Sequence, residues 1–110
     1  MNYLDDIIIT DIKRIISIPI SKGKSQKMTD RKTYGLVLCT HGQITYSHKG
    51  TEYVLVPQHA VILPKGECYT FSCDKSCILP LIDFECENFN CDTIHSISVR
   101  NLDSILRDFE

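Results

Sequence analysis

The chain has 110 residues, 43% of them hydrophobic, and a formal net charge of −2. That length makes one domain, able to bury roughly two thirds of its unfolded surface, and nothing in that charge favours nucleic acid or anionic lipid by electrostatics alone. No apolar run reaches the about 20 residues needed to span a bilayer, and Asp5 and Asp6 before Ile7-Ile8-Ile9 carry the wrong sign for a signal peptide, so a soluble, cytoplasmic protein with no membrane contact is expected.

Residues 1–20 are Ile-rich. Ile8, Ile12, Ile15 and Ile16 have helical spacing, whereas Ile16, Ile18 and Ile20 alternate as in a strand and Pro19 interrupts. Periodicity leaves both open; the reading adopted is one or two short strands, or an arm lying against the rest. Residues 21–33 are polar and basic, with Lys22, Lys24, Lys27, Arg31 and Lys32. They read as a solvated loop or a mobile lid, and without interleaved aromatics they do not suggest nucleic-acid stacking.

From Tyr34 onward, short apolar runs alternate with turn residues at Gly42, Gly50, Pro57 and Pro64-Lys65-Gly66. Strands are expected at Tyr34–Thr40, at Gln43–Ser47 and Glu52–Val56 as a hairpin, at Ala60–Leu63 and at Cys68–Cys73. Asp74-Lys75-Ser76 reads as a turn, Ile78–Glu85 as a strand, residues 86–93 as a loop and Ile94–Val99 as a last strand. Short strands at this spacing predict an all-β sandwich or small barrel. The period then changes. Asn101 is a good N-cap, and Leu102, Ile105, Leu106 and Phe109 fall on one helical face. A helix this short is marginal alone, so it is expected to continue or to pack on the barrel.

There are six cysteines: Cys39, Cys68, Cys73, Cys77, Cys86 and Cys91. The even count permits a secreted disulfide scaffold. The missing export signal and the ample core residues favour reduced thiols instead, several of them acting as small core residues.

Asp30-Arg31-Lys32-Thr33-Tyr34-Gly35-Leu36, His41-Gly42-Gln43-Ile44-Thr45-Tyr46, Tyr53, Val61-Ile62-Leu63-Pro64-Lys65-Gly66 and Tyr69 together resemble the N-terminal cupin domain of AraC-type transcriptional regulators. The resemblance spans roughly Asp30 to Glu85, about half of the chain. It implies a cupin-like small β-barrel of the double-stranded β-helix type, here with a short C-terminal helix. Residues 1–20 would be an N-terminal arm or edge strands, 21–100 the sensor barrel, and 101–110 the start of a linker or dimerisation helix. It also implies a small-molecule effector inside the barrel, a homodimer, and DNA binding only through a C-terminal helix-turn-helix domain that this sequence does not contain. No enzymatic activity and no cofactor are expected.

Carrying the family's effector-contacting positions over by motif lands on Arg31, Phe71, Leu79 and Leu81. Arg31 matches a guanidinium that hydrogen-bonds a sugar hydroxyl, a task suited to its planar fork of donors; its bland alternative is an exposed loop salt bridge. Leu79 and Leu81 stand where a polar His and a stacking Trp are expected, so the ligand is a sugar or a more apolar metabolite. Leu36, Tyr46 and Tyr69 complete the candidate ligand-binding set, and Leu102, Ile105, Leu106 and Phe109 the candidate interface.

Metal-dependent cupins place two His one residue apart after the first hairpin Gly, then a Glu and a later His. Thr40-His41-Gly42 has no such partner, and His41 and His59 read as surface or turn residues. Cys73-x3-Cys77 and Cys86-x4-Cys91, with His95 nearby, have a permitted but loose zinc spacing. No metal is expected. The alternatives to a sensor are a small metal-dependent cupin enzyme and a ligand-free interaction scaffold, either of which would need a differently furnished barrel interior.

Overall fold

In a strand, alternate residues face opposite sides of the sheet, and the apolar alternation of this chain is realised as strands throughout. The computed structural model describes residues 8–87 and 94–98. The strands are β1 (Ile8–Ile20), β2 (Ser25–Met28), β3 (Tyr34–Leu38), β4 (His41–His48), β5 (Thr51–Leu55), β6 (His59–Leu63), β7 (Tyr69–Glu87) and β8 (His95–Ser98). All pairings are antiparallel, in the order β5-β4-β7-β3-β6-β8, with β1 and β2 also pairing β7. The curled sheet nearly closes into a barrel.

Strand β7 runs through both halves of the barrel. Its first half lies between β2 and β4, with Gln26↔Phe71↔Tyr46 in register. Its second half lies between β1 and β3, with Arg14↔Asp83↔Gly35 in register. The inner faces of the two halves meet in one core, which joins Ile44, Tyr46 and Leu55 to Val37, Val61, Leu63, Leu79 and Leu81. The outer face of the second half is apolar too: Leu36, Ile62, Ile82 and Phe84 are buried there, and Tyr34 stacks on Phe84 at 5.9 Å. Ile15, the neighbour of Ile82 on that face, is 59% exposed.

Three expectations change. The predicted turn at Asp74-Lys75-Ser76 does not end a strand, because β7 continues through it for 19 residues. The register against β4 shifts there, from Ile44↔Cys73 to His41↔Ile78, so the turn-forming residues are absorbed as a bulge. The predicted 21–33 loop contains β2. Its polar composition suits an edge strand whose side chains mostly face solvent. Residues 8–20 form one strand rather than two, and the helical spacing of its first isoleucines is incidental. Ile16, Ile18 and Ile20 pair with Leu81, Leu79 and Cys77 and pack on the core, as their strand alternation requires. Pro19 is tolerated because β1 pairs on one edge alone. The predicted helix, with Leu102, Ile105, Leu106 and Phe109, lies outside the described residues, as does Cys91.

Gly42 is where β4 passes over the β7 bulge. Its φ is +88°, and a Cβ there would stand 2.6 Å from the Lys75 carbonyl oxygen and 2.7 Å from Cys77 Cα. Both neighbours are backbone and cannot give way. Gly42→Ala should therefore cost about 2–4 kcal/mol in urea denaturation. Gly50→Ala, with φ +80° but open space around it, should cost only about 1–2 kcal/mol.

Candidate functional site

Between the two inner faces lies a cavity of about 210 Å³. Arg31, Tyr46, Tyr69, Phe71, Leu79 and Leu81 line it, so six of the seven predicted ligand-binding residues converge. Leu36 does not line it. It pairs with Ile62 and Ile82 on the outer face, and the cavity is lined by its neighbour Val37. Registration by one residue reverses the face of a strand residue, which explains the miss. Besides Val37 and Leu63, the residues not anticipated come from one stretch: Arg14, Ile18, Pro19 and Ile20 on β1, with Lys24, Gln26 and Met28 beyond it. The Ile16, Ile18, Ile20 alternation carried a signal for part of this. Arg14 and Lys24 carried none, because a lone cation on an arm or in a basic loop reads as solvated surface.

The walls are apolar and aromatic. Tyr46 packs edge-on to Tyr69 with centroids 5.9 Å apart and lies 6.3 Å from Phe71. Burial pushes both phenols up in pKa, with Arg31 pulling against that rise at Tyr69, so both hydroxyls remain available as hydrogen-bond donors.

The charged groups gather around Asp83, which is only 6% exposed. Arg31 Nη2 donates to Asp83 Oδ1. Arg14 donates from Nε at 3.0 Å and from Nη2 at 2.9 Å to Asp83 Oδ2. The expected exposed salt bridge of Arg31 is thus a buried one, its side chain being 11% exposed. Gly35 and Asp83 are register partners, and the Arg31 guanidinium packs against Gly35 beside that carboxylate. Arg31 Nε is buried and finds no acceptor among the described residues. Arg14, Lys24 and Arg31 line the cavity and no carboxylate does, so the lining carries a net positive charge beside Asp83.

The histidines and cysteines do other work. His41 and His59 are exposed as expected, at 3.1 Å from Thr40 Oγ1 and 3.3 Å from the Pro57 carbonyl oxygen. His48 is instead buried, with Nε2 at 3.1 Å from Glu67 Oε1. Cys73 and Cys77 lie with sulfurs 3.5 Å apart in the core, and burial pushes the Cys77 thiol up to about 12. Burial also raises the Cys39 thiol. Such thiols are protonated and unreactive, serving as small apolar residues. Cys86 is nine residues beyond Cys77 on the same strand, about 30 Å away at about 3.3 Å per residue, so these sulfurs cannot share one zinc. Among the described residues no group of three or more His, Cys, Asp or Glu is arranged to hold a metal.

No family model matches the sequence, and no curated protein does. Solved structures do match in fold. ToxT from Vibrio cholerae, an AraC-family regulator, in a form bound to an unsaturated fatty acid, has a TM-score of 0.64 at 12% identity over 89% of this chain and 45% of that one. ToxT bound to (E)-4-(8-methylnaphthalen-1-yl)but-3-enoic acid has a TM-score of 0.56 at 16% identity over 86% of this chain and 35% of that one. A cupin-2 domain protein from Shewanella frigidimarina has a TM-score of 0.57 at 11% identity over 76% of each chain. The fold is therefore a cupin-like barrel. The chain spans about half the length of the ToxT structures that it matches.

Two outcomes follow from the ionic groups. Asp83→Ala strands the Arg31 charge in the interior and should cost about 3 kcal/mol. Arg14→Ala should cost about 1 kcal/mol or less, since Arg14 is 56% exposed. Urea midpoints distinguish the two. Separately, hydrogen bonds from His48 and Lys49 hold the Glu67 carboxyl below its ordinary value of 4.5. A depressed carboxyl adds stability above its unfolded pKa, and that contribution disappears as pH falls through the folded pKa. Melting temperature should accordingly drop below about pH 4.5, and Glu67→Gln should flatten that part of the profile.

Proposed function

We propose that this barrel is the effector-sensing part of an AraC-type transcription regulator, and that its effector is an amphipathic carboxylate. The observation that carries the reading is the cavity itself: apolar walls from Val37, Phe71, Leu79 and Leu81, with the Arg31 side chain in the lining and its buried Nε unpartnered among the described residues. An apolar chain fits those walls, and a carboxylate fits a guanidinium donor that has nothing else to bond. Leu79 and Leu81 offer a sugar no hydrogen bond. ToxT, which has the same fold, binds an unsaturated fatty acid and a naphthyl-butenoic acid. A metal-dependent enzyme is disfavoured because His41 and His59 sit outside the barrel and His48 is committed to Glu67.

The coupling follows from who lines the cavity. Seven of the fifteen lining residues lie between Arg14 and Met28, on strands that pair with β7 alone. A ligand filling the cavity binds better when this stretch is docked, and so shifts the population toward the docked state. In the complete regulator that shift would reach the partner subunit of a homodimer and a separate DNA-binding domain.

The test is calorimetric titration with (Z)-hexadec-9-enoic acid and with the corresponding alcohol. The acid should bind more tightly than the alcohol, and Arg31→Gln should weaken the acid by about tenfold to a hundredfold, the worth of one charge-assisted hydrogen bond. Failure of both probes to bind the wild-type chain would sink the proposal.

A further inference from the structure

Gly35 has no conformational reason to be glycine. It sits in β3 between two paired strands, opposite Leu63 on one side and Asp83 on the other, and it is not among the glycines with positive φ. Glycine in such a central strand position weakens the sheet and usually marks a close approach by another group. Here the approaching group is the Arg31 guanidinium. A Cβ on Gly35 would overlap Nη2 and stand 2.8 Å from Cζ and 3.0 Å from Nε.

The rest of Arg31 is equally constrained. Its N–H donates to the Glu67 carbonyl oxygen at 3.3 Å, and its own carbonyl oxygen accepts from Gly66 N–H at 2.7 Å. These bonds hold the main chain of Arg31 against the 64–67 turn, while Asp83 holds the far end of the side chain. Between these anchors the guanidinium occupies the space that a Gly35 side chain would take. Asp83 is meanwhile shared with Arg14, and Arg31, whose side chain lines the cavity, keeps a buried Nε without an acceptor among the described residues.

We infer that Gly35 is a positioning residue that determines the cavity's preference for an anionic head group, acting wholly through Arg31. The inference rests on the effector reading above, since it concerns how that same cavity selects its ligand. Any side chain at residue 35 displaces the guanidinium and with it the Nε donor. The apolar walls that Phe71, Leu79 and Leu81 contribute from β7 are untouched.

The experiment uses the same two probes on Gly35→Ala. Binding of (Z)-hexadec-9-enoic acid should weaken by about tenfold or more, the loss of a charge-assisted bond, and binding of the corresponding alcohol should stay as in the wild type. In an Arg31→Gln background, adding Gly35→Ala should change neither. Wild-type affinity for the acid in Gly35→Ala overturns the inference, as does an equal loss for acid and alcohol. If Gly35→Ala folds poorly, the double variant should recover folding, because the shorter Gln relieves the overlap. A double variant as unstable as Gly35→Ala also overturns it. A wild-type chain that binds neither probe instead removes the effector reading itself, so the two failures are distinct.

Discussion

The hydrogen-bonding edges of β7 constrain everything else in this molecule. Four strands pair with it: β2 and β4 along its first half, β1 and β3 along its second. Backbone groups removed from water must find partners, and a 19-residue strand offers two long rows of them. The bulge at Asp74-Lys75-Ser76 lets the strand cross from one half of the barrel to the other without breaking either row. The ladder with the N-terminal stretch keeps one register from Arg14↔Asp83 to Met28↔Tyr69, bridged at the turn by Gly23 N–H to the Cys73 carbonyl and Cys73 N–H to the Lys24 carbonyl. The N-terminal stretch therefore forms a wall of the cavity while depending on a single neighbouring strand.

The polar chemistry of the interior follows from that arrangement. Bringing Arg14, Gly35 and Asp83 into one register row places a carboxylate inside the barrel, where an isolated charge would be strongly unfavourable. Two arginines offset it. The offset is uneven, because one carboxylate cannot satisfy two guanidinium groups, and Arg31 Nε is left as a buried donor. An unmade bond of that kind costs about 1–3 kcal/mol. A ligand that supplies an acceptor recovers this energy on binding, which is how a site can be prepared in advance for an anion.

Sequence reasoning reached much of this cavity because strand periodicity is strict. Phe71 and Tyr69 on one run, and Leu79 and Leu81 on another, are odd-numbered neighbours of a single face, and they remain so although the intervening turn proved to be a bulge. Leu36 shows the limit of the same logic. Both Leu36 and Val37 are apolar and buried, so nothing local states which of them looks inward. The choice is made by pairing with β6 and β7, whose outer face is also apolar.

The amino-acid sequence by itself pointed to an all-β chain of short strands, to thiols of which several serve as small core residues, and, through the family resemblance, to Phe71, Leu79 and Leu81 in the interior. The strands rest on local composition and on a period of two, which neighbouring residues carry between them. Tertiary structure alone decided the charge of the pocket. Arg14 and Lys24 look like solvated surface cations in the sequence, and nothing local pairs Arg31 with Asp83. Only long-range pairing, over 52 residues from Arg31 and 69 from Arg14, brings them together around that one buried carboxylate, and electrostatic character depends on such distances and not on sequence neighbours.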